Sequence, residues 1–205
     1  MAWTTKTDHR LPARETEQGS KSPLRTLKLF FDNASHLERP TLLDMGPACS
    51  SNIEFFGQKG FKIYVEDFLS DYLDPVPERT AEQQLLNYPA ATFNGILCWD
   101  IFDFMTSRDA EILIQRLFDL LQRGGIIMAL FDARTDLATK HPMRHKILQE
   151  DLVIHEPLKE IQTISHHYKN REILKLFCHF EIVKSYYHKN RLREYLFQKL
   201  PSTID

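Results

Sequence analysis

The sequence predicts one α/β domain, a three-layer sandwich around a mostly parallel central sheet, with a small-ligand site at the loop after its first strand. Three observations carry that expectation. Short apolar runs alternate with helical periodicity between Thr41 and Phe131. The run Ile126 to Phe131 is continuously apolar, as a strand covered on both faces must be. The first two strands end in acids, Asp44 and the pair Glu66-Asp67, which gathers polar groups at one edge of the sheet.

The elements follow in order. Residues 1–22 are polar, contain Pro12 and Gly19 and show no sustained period, so they read as a flexible tail. Leu24, Leu27, Lys28, Phe31 and Ala34 share one side of a short helix, with Pro23 in its first turn, expected to cover a sheet edge or close over the site. Thr41 to Leu43 is a buried strand running into the turn Asp44-Met45-Gly46-Pro47, and Ser51 with Glu54 forms a capping box for the helix that follows. Phe61, Ile63 and Val65 make the second strand. A helix over part of Phe68 to Asp74 stops before Pro75 and Pro77, and Glu78 to Leu86 reads equally as helix or weak strand. Phe93 to Cys98 is a strand with Trp99 and Asp100 at its C-terminal end. Thr106 and Asp109 cap a helix carrying Leu113, Leu117 and Leu121, with Arg123 and Gly124 at its end. His145 to His155 forms a hairpin or cover; a helix over Arg171 to Phe180 and strands at Glu181 to Tyr187 and Glu194 to Phe197 finish the sheet.

Composition narrows the function. A chain of 205 residues serves one substantial core, and 42% apolar residues with fourteen Phe supply it. The net charge of -2 gives no global field for nucleic acid or anionic lipid, and no stretch reaches the length of a membrane span. Nine Lys or Arg against four Glu between Lys159 and Lys199 read either as a solvated face or as an edge biased toward anionic substrates. Cys49, Cys98 and Cys178 lie far apart in apolar surroundings, which predicts reduced thiols and a cytoplasmic protein. Neither CxxC nor CxxH spacing occurs, so no metal site is expected.

The candidate ligand site is the first βα turn. Gly46 lets the chain turn sharply and admits a ligand close to the backbone, while Asp44 can accept from an ammonium or hydroxyl group. A dinucleotide fingerprint needs GxGxxG, but Gly46, Ala48 and Ser51 stand at its three glycine positions; no phosphate-loop GxxxxGK[ST] occurs either. Asp67 and its neighbour Glu66 stand at the end of the second strand, either as a further polar contact at that edge or as a solvated strand end.

The segment Asp44-Met45-Gly46-Pro47-Ala48-Cys49-Ser50, the strand end Glu66-Asp67, the run Tyr88 to Leu97 and the Gly124-Gly125 turn together resemble the class I S-adenosylmethionine-dependent methyltransferases. Ala48 and Ser50 stand where that family usually has glycine, and Asn94 where it commonly has Asp. The resemblance implies a Rossmann-like fold over residues 23–205 with the cofactor core at about 41–131. It implies S-adenosyl-L-methionine as cofactor, bound by Asp44, Gly46, Ala48, Asp67 or Glu66, and Trp99, and a small-molecule acceptor. Asp100 is the candidate general base by location; His166 and His167 join it only if the C-terminal cover folds over the pocket. The competing reading is a noncatalytic ligand-binding or interaction protein on the same fold. Monomer and homodimer stay equally open.

Overall fold

A computed structural model describes residues 19–34, 37–74 and 86–200. In chain order the elements are β1 (Ser20–Pro23), α1 (Arg25–Ala34), β2 (Thr41–Asp44), α2 (Ser50–Gln58), β3 (Lys62–Val65) and α3 (Phe68–Leu73). Then come β4 (Phe93–Trp99), a 3-10 turn (Ile101–Phe104), α4 (Ser107–Leu120), β5 (Leu121–Asp132), β6 (Thr139–Lys140), β7 (Met143–Gln149) and β8 (Leu152–Pro157). β9 (Gln162–Thr163), α5 (Asn170–Leu176), β10 (Glu181–Tyr187) and β11 (Leu192–Gln198) are the last elements among the described residues. Most of the ambiguous segment Glu78 to Leu86 lies outside the described residues.

The central sheet has six strands in the order β10-β11-β5-β4-β2-β3. The pairs β2 with β3, β2 with β4 and β4 with β5 are parallel, while β11 runs antiparallel between β5 and β10. This is the Rossmann-like sandwich, its parallel half lying within residues 41–131. Alternation along β5 builds both cores. Ile127, Ala129 and Phe131 pack with Leu113 and Leu117 of α4 and Ile173 of α5, whereas Ile126, Met128 and Leu130 pack with Leu27 and Phe30 of α1 and Phe56 of α2.

Several local expectations shift. Residues 20–22, assigned to the tail, join Pro23 in β1 and pair antiparallel with β8, because the β7–β8 hairpin offers that strand an open edge. Pro23 therefore ends a strand instead of starting a helix. In α1 the buried positions are Thr26, Leu27, Phe30, Phe31 and Ala34; Lys28 points to solvent, and the helix crosses the sheet face over β4, β5 and β11. Cys49, not Ser51, stands at the N-cap of α2 and makes no side-chain cap, since the Ser51 hydroxyl lies 3.0 Å from the Cys49 thiol. Thr106 does cap α4, accepting from the Asp109 amide. That helix stops at Leu120, and Gly124 falls inside β5, where φ of 74° and a register jump from Leu121 to Ile126 mark a bulge. Cys178 is exposed, whereas Cys49 and Cys98 are buried.

Two close approaches fix the sheet. Asn94 accepts from the Thr41 amide and hydroxyl at 2.9 Å each and donates to Gln122 at 2.8 Å, a double role that an aspartate in its place could not fill. Gly95 leaves the room that Phe30 occupies: a Cβ there would stand 2.3 Å from Phe30 Cζ. Gly95→Ala is expected to cost about 1 to 3 kcal/mol by overpacking. Gly57→Ala, on an open face of α2 with nothing within 4 Å, is expected to gain roughly 0.5 to 1 kcal/mol. Urea denaturation of the two variants checks the contrast.

Candidate functional site

Parallel pairing places the C-terminal ends of β2, β3 and β4 at one edge. Asp44 aligns with Val65 on one side and Leu97 on the other, so Gly46, Asp67 and Asp100 emerge together. They line a cleft of about 820 Å³, with Ser70 and Asp71 of α3, Trp99, and Met143 and Leu158 from the cover. That volume suits a small organic ligand.

The loop after β2 is held from behind. Asp44 is 2% exposed. One of its oxygens accepts from Trp99 Nε1 at 2.6 Å and from the Gly46 amide at 3.1 Å, and the other lies 3.4 Å from Asn52 Nδ2. Burial pushes its carboxyl above the usual range, against those hydrogen bonds from Trp99, Gly46 and Asn52. Asp44 is thus a strut beneath the loop and is not among the cleft-lining residues. Gly46 is required by packing: a Cβ there would sit 2.9 Å from Trp99 Cδ1. Trp99 itself has φ of 49°, uncommon for a bulky residue, and its indole stacks on His145 at 4.6 Å and 5°.

The two acids after β3 separate clearly. Asp67 lines the cleft and caps α3 loosely through the Ser70 amide at 3.4 Å. Glu66 accepts from the Tyr88 hydroxyl and does not line the cleft. Ala48 is exposed and also lies off the lining.

No protein-family model matches the sequence, and no curated protein does. Solved structures do match. An S-adenosylmethionine-dependent methyltransferase from Clostridium acetobutylicum gives a TM-score of 0.53 at 14% identity, over 86% of this chain and 92% of that one. The 1,6-didemethyltoxoflavin-N1-methyltransferase of Burkholderia thailandensis, solved with 1,6-didemethyltoxoflavin and S-adenosylhomocysteine, gives 0.52 at 16%, over 86% and 78%. The [4+2]-cyclase SpnF gives 0.52 at 12%, over 86% and 80%. The chain has a class I methyltransferase-like fold. Identities this low establish the fold alone, and the cyclase among the matches shows that the fold houses more than one chemistry.

Within this methyltransferase-like fold, Asp100 sits between the cleft and a second, polar cavity of about 220 Å³. Burial alone would raise its carboxyl, but the Lys140 ammonium at 3.1 Å and His145 at 3.0 Å outweigh it and hold the group well below the usual carboxylate range. A carboxylate so held is a poor proton acceptor and a good fixed charge. His166 lies 3.5 Å from Glu172 and against the Tyr168 ring, and neither His166 nor His167 lines either cavity.

Sequence reasoning did not single out Lys140, Asn52 or the histidine pair. His145 and His155 sit opposite each other across the β7–β8 hairpin, with their Nδ1 atoms 2.8 Å apart. Two histidines ten residues apart in a hairpin-like segment were the available signal. Asn52 joins this cover to the loop, donating to the His145 carbonyl at 2.9 Å and accepting from the Ile147 amide at 2.9 Å.

Burial, reinforced by the neighbouring His145, pushes the His155 imidazole down to about 3 from 6.5. Between those values the unfolded chain binds a proton that the native chain refuses, so stability falls as pH drops through that window. Asp103 acts in the opposite sense. Burial, opposed by Lys140, pushes its carboxyl up to about 6 from 3.8, so the native chain takes up a proton there and regains part of the loss. The melting temperature is expected to be lower at acidic than at neutral pH, and His155→Gln to flatten or reverse that slope in calorimetric scans.

Proposed function

We propose that this chain binds S-adenosylmethionine in the cleft at the ends of β2, β3 and β4 and transfers its methyl group to a small-molecule acceptor. The observation that carries the reading is the position of Asp67: a carboxylate at the end of β3, open to the cleft, one strand over from the Gly46 loop. A carboxylate there accepts from both ribose hydroxyls, and Gly46 offers backbone for the amino-acid end. Among the described residues the wall also suits a cation, with Asp67, Asp71, Asp74, Asp100 and Glu160 against Lys159. When bound, the sulfonium supplies an activated methyl group; the chain's own work is to align the acceptor, keep water out and dispose of a proton. Met143 and Leu158 of the cover supply apolar surface at the cleft wall for the second of these tasks.

Calorimetric titration of the full chain with S-adenosylhomocysteine tests the reading. Saturable binding with one site and a Kd on the order of 1–10 μM is expected, about 7 to 8 kcal/mol of binding free energy. Absence of measurable binding to a folded sample rejects it.

A further inference from the structure

Asn52, in the first turn of α2, is 2% exposed and touches separate parts of the site at once. Its Nδ2 donates to the His145 carbonyl at 2.9 Å and lies 3.4 Å from Asp44 Oδ2, while its Oδ1 accepts from the Ile147 amide at 2.9 Å. A strand beside β7 would make the same two bonds. In a parallel ladder one peptide unit donates to the carbonyl of residue i and accepts from the amide of residue i+2. One planar carboxamide thus stands in for a peptide unit along the edge of β7 that faces away from β8. An aspartate there could serve the Ile147 amide but not the His145 carbonyl, and an aliphatic side chain would leave both unpaired.

These bonds close a ring of contacts. Asp44 accepts from Trp99 Nε1 at 2.6 Å and from the Gly46 amide at 3.1 Å, Trp99 stacks on the His145 ring, and the His145 carbonyl returns to Asn52. The ring joins the two walls of the cleft. Gly46 and Trp99 line it from the sheet side, and Pro142, Met143 and Leu158, at the open ends of the β7–β8 hairpin, line it from the cover side. Residues 145–155, between those ends, are not among the lining residues. A ring stack tolerates sliding, whereas two hydrogen bonds to one carboxamide fix a distance, so Asn52 sets the register between the hairpin and α2.

We infer that Asn52 is a positioning residue that ties the β7–β8 hairpin to the Gly46 loop, so that a ligand seated on the loop also orders the hairpin. The identity of that ligand rests on the cofactor reading above. Without the carboxamide the hairpin keeps its pairing with β1 but loses its fixed distance from the loop. The coupling is reciprocal, so a hairpin released from Asn52 loosens the loop as much as the loop loosens the hairpin. A cleft whose walls are in register only about a tenth of the time binds its ligand about tenfold more weakly.

The test uses the full chain with Asn52→Ala and, as a variant of conserved shape, Asn52→Asp, read by calorimetric titration with S-adenosylhomocysteine and by amide hydrogen exchange with and without it. In the wild type, saturating ligand is expected to slow exchange at the Gly46 amide and also at residues 152–155 of β8, none of which lines the cleft. In the variants affinity is expected to fall about tenfold, and at saturation the Gly46 amide stays slowed while residues 152–155 do not. A residue that only supports the fold would lower stability without splitting those two responses. Affinity in the variants within about twofold of the wild type, slowing at 152–155 retained in them, or no such slowing in the wild type overturns the inference. A variant that fails to fold leaves the wild-type exchange to decide. Failure of the wild type to bind S-adenosylhomocysteine removes the cofactor reading instead, and the coupling is then decided on the free chain. There, Gly46 and residues 152–155 are expected to exchange through one shared opening in the wild type and through two in the variants, and separate openings in the wild type overturn it.

Discussion

Trp99→Ala is expected to cost the native fold about 3 to 5 kcal/mol, the largest loss of any single substitution considered. The indole is 2% exposed, packs within the core formed by α1, α2 and the hairpin, and stacks on His145. Removing it leaves a cavity, and it also takes the nearer donor from Asp44, a buried carboxylate then left with the Gly46 amide and the long contact to Asn52. The positive φ at Trp99 is held by those contacts, so the end of β4 should relax with them. Trp99→Phe keeps one aromatic ring but loses the Nε1–H bond together with the pyrrole half of the indole, so its cost sets an upper bound on what the bond contributes. An intermediate loss of about 1 to 3 kcal/mol is expected for it in urea denaturation. Equal stability of the wild type and Trp99→Phe would show that the bond to Asp44 contributes nothing.

Asp67→Ala is expected to weaken S-adenosylhomocysteine binding by about tenfold or more while leaving the fold intact. Each charge-assisted hydrogen bond from a ribose hydroxyl is worth about 1.5 to 3 kcal/mol, and one such bond already accounts for a tenfold change. The cap that Asp67 gives α3 is long, at 3.4 Å, so its loss should cost little stability. Glu66→Ala is expected to change affinity less, since its carboxylate is engaged by Tyr88 away from the cleft. Calorimetry on both variants decides between them. A loss confined to Glu66→Ala would move the ribose contact to that residue.

Much of this site is legible in the sequence because strand ends are. The apolar run closed by Asp44 and Gly46 and the run closed by Glu66 and Asp67 mark two termini, and parallel pairing carries both to the same edge. What escapes is whatever depends on long-range register. The bond from Trp99 to Asp44 spans 55 positions, and nothing local at either residue announces it. That bond turns Asp44 from an expected ligand contact into a support for the loop. His145 and His155 meet only because the hairpin pairs them directly, and a register slipped by one residue would send the two rings to opposite faces. The capping box proposed at Ser51 and Glu54 failed for a related reason. A local motif fixes a helix start only when its side chain is free, and the Ser51 hydroxyl sits against Cys49.

The arrangement also divides labour along β4. Asn94 ties the starts of three strands together, Gly95 admits Phe30 from α1, and Trp99 with Asp100 serves the opposite end, where the cavities lie. Substitutions near Asn94 should therefore move stability without moving ligand affinity, and those at Asp100 should move both.

A crystal structure of the full chain grown with S-adenosylhomocysteine tests the central claim most directly. The account predicts density in the cleft of about 820 Å³, with both ribose hydroxyls on the Asp67 carboxylate and the amino-acid end along the Gly46 backbone. Density elsewhere on the molecule, or in the cleft with the ribose turned away from Asp67, would contradict it.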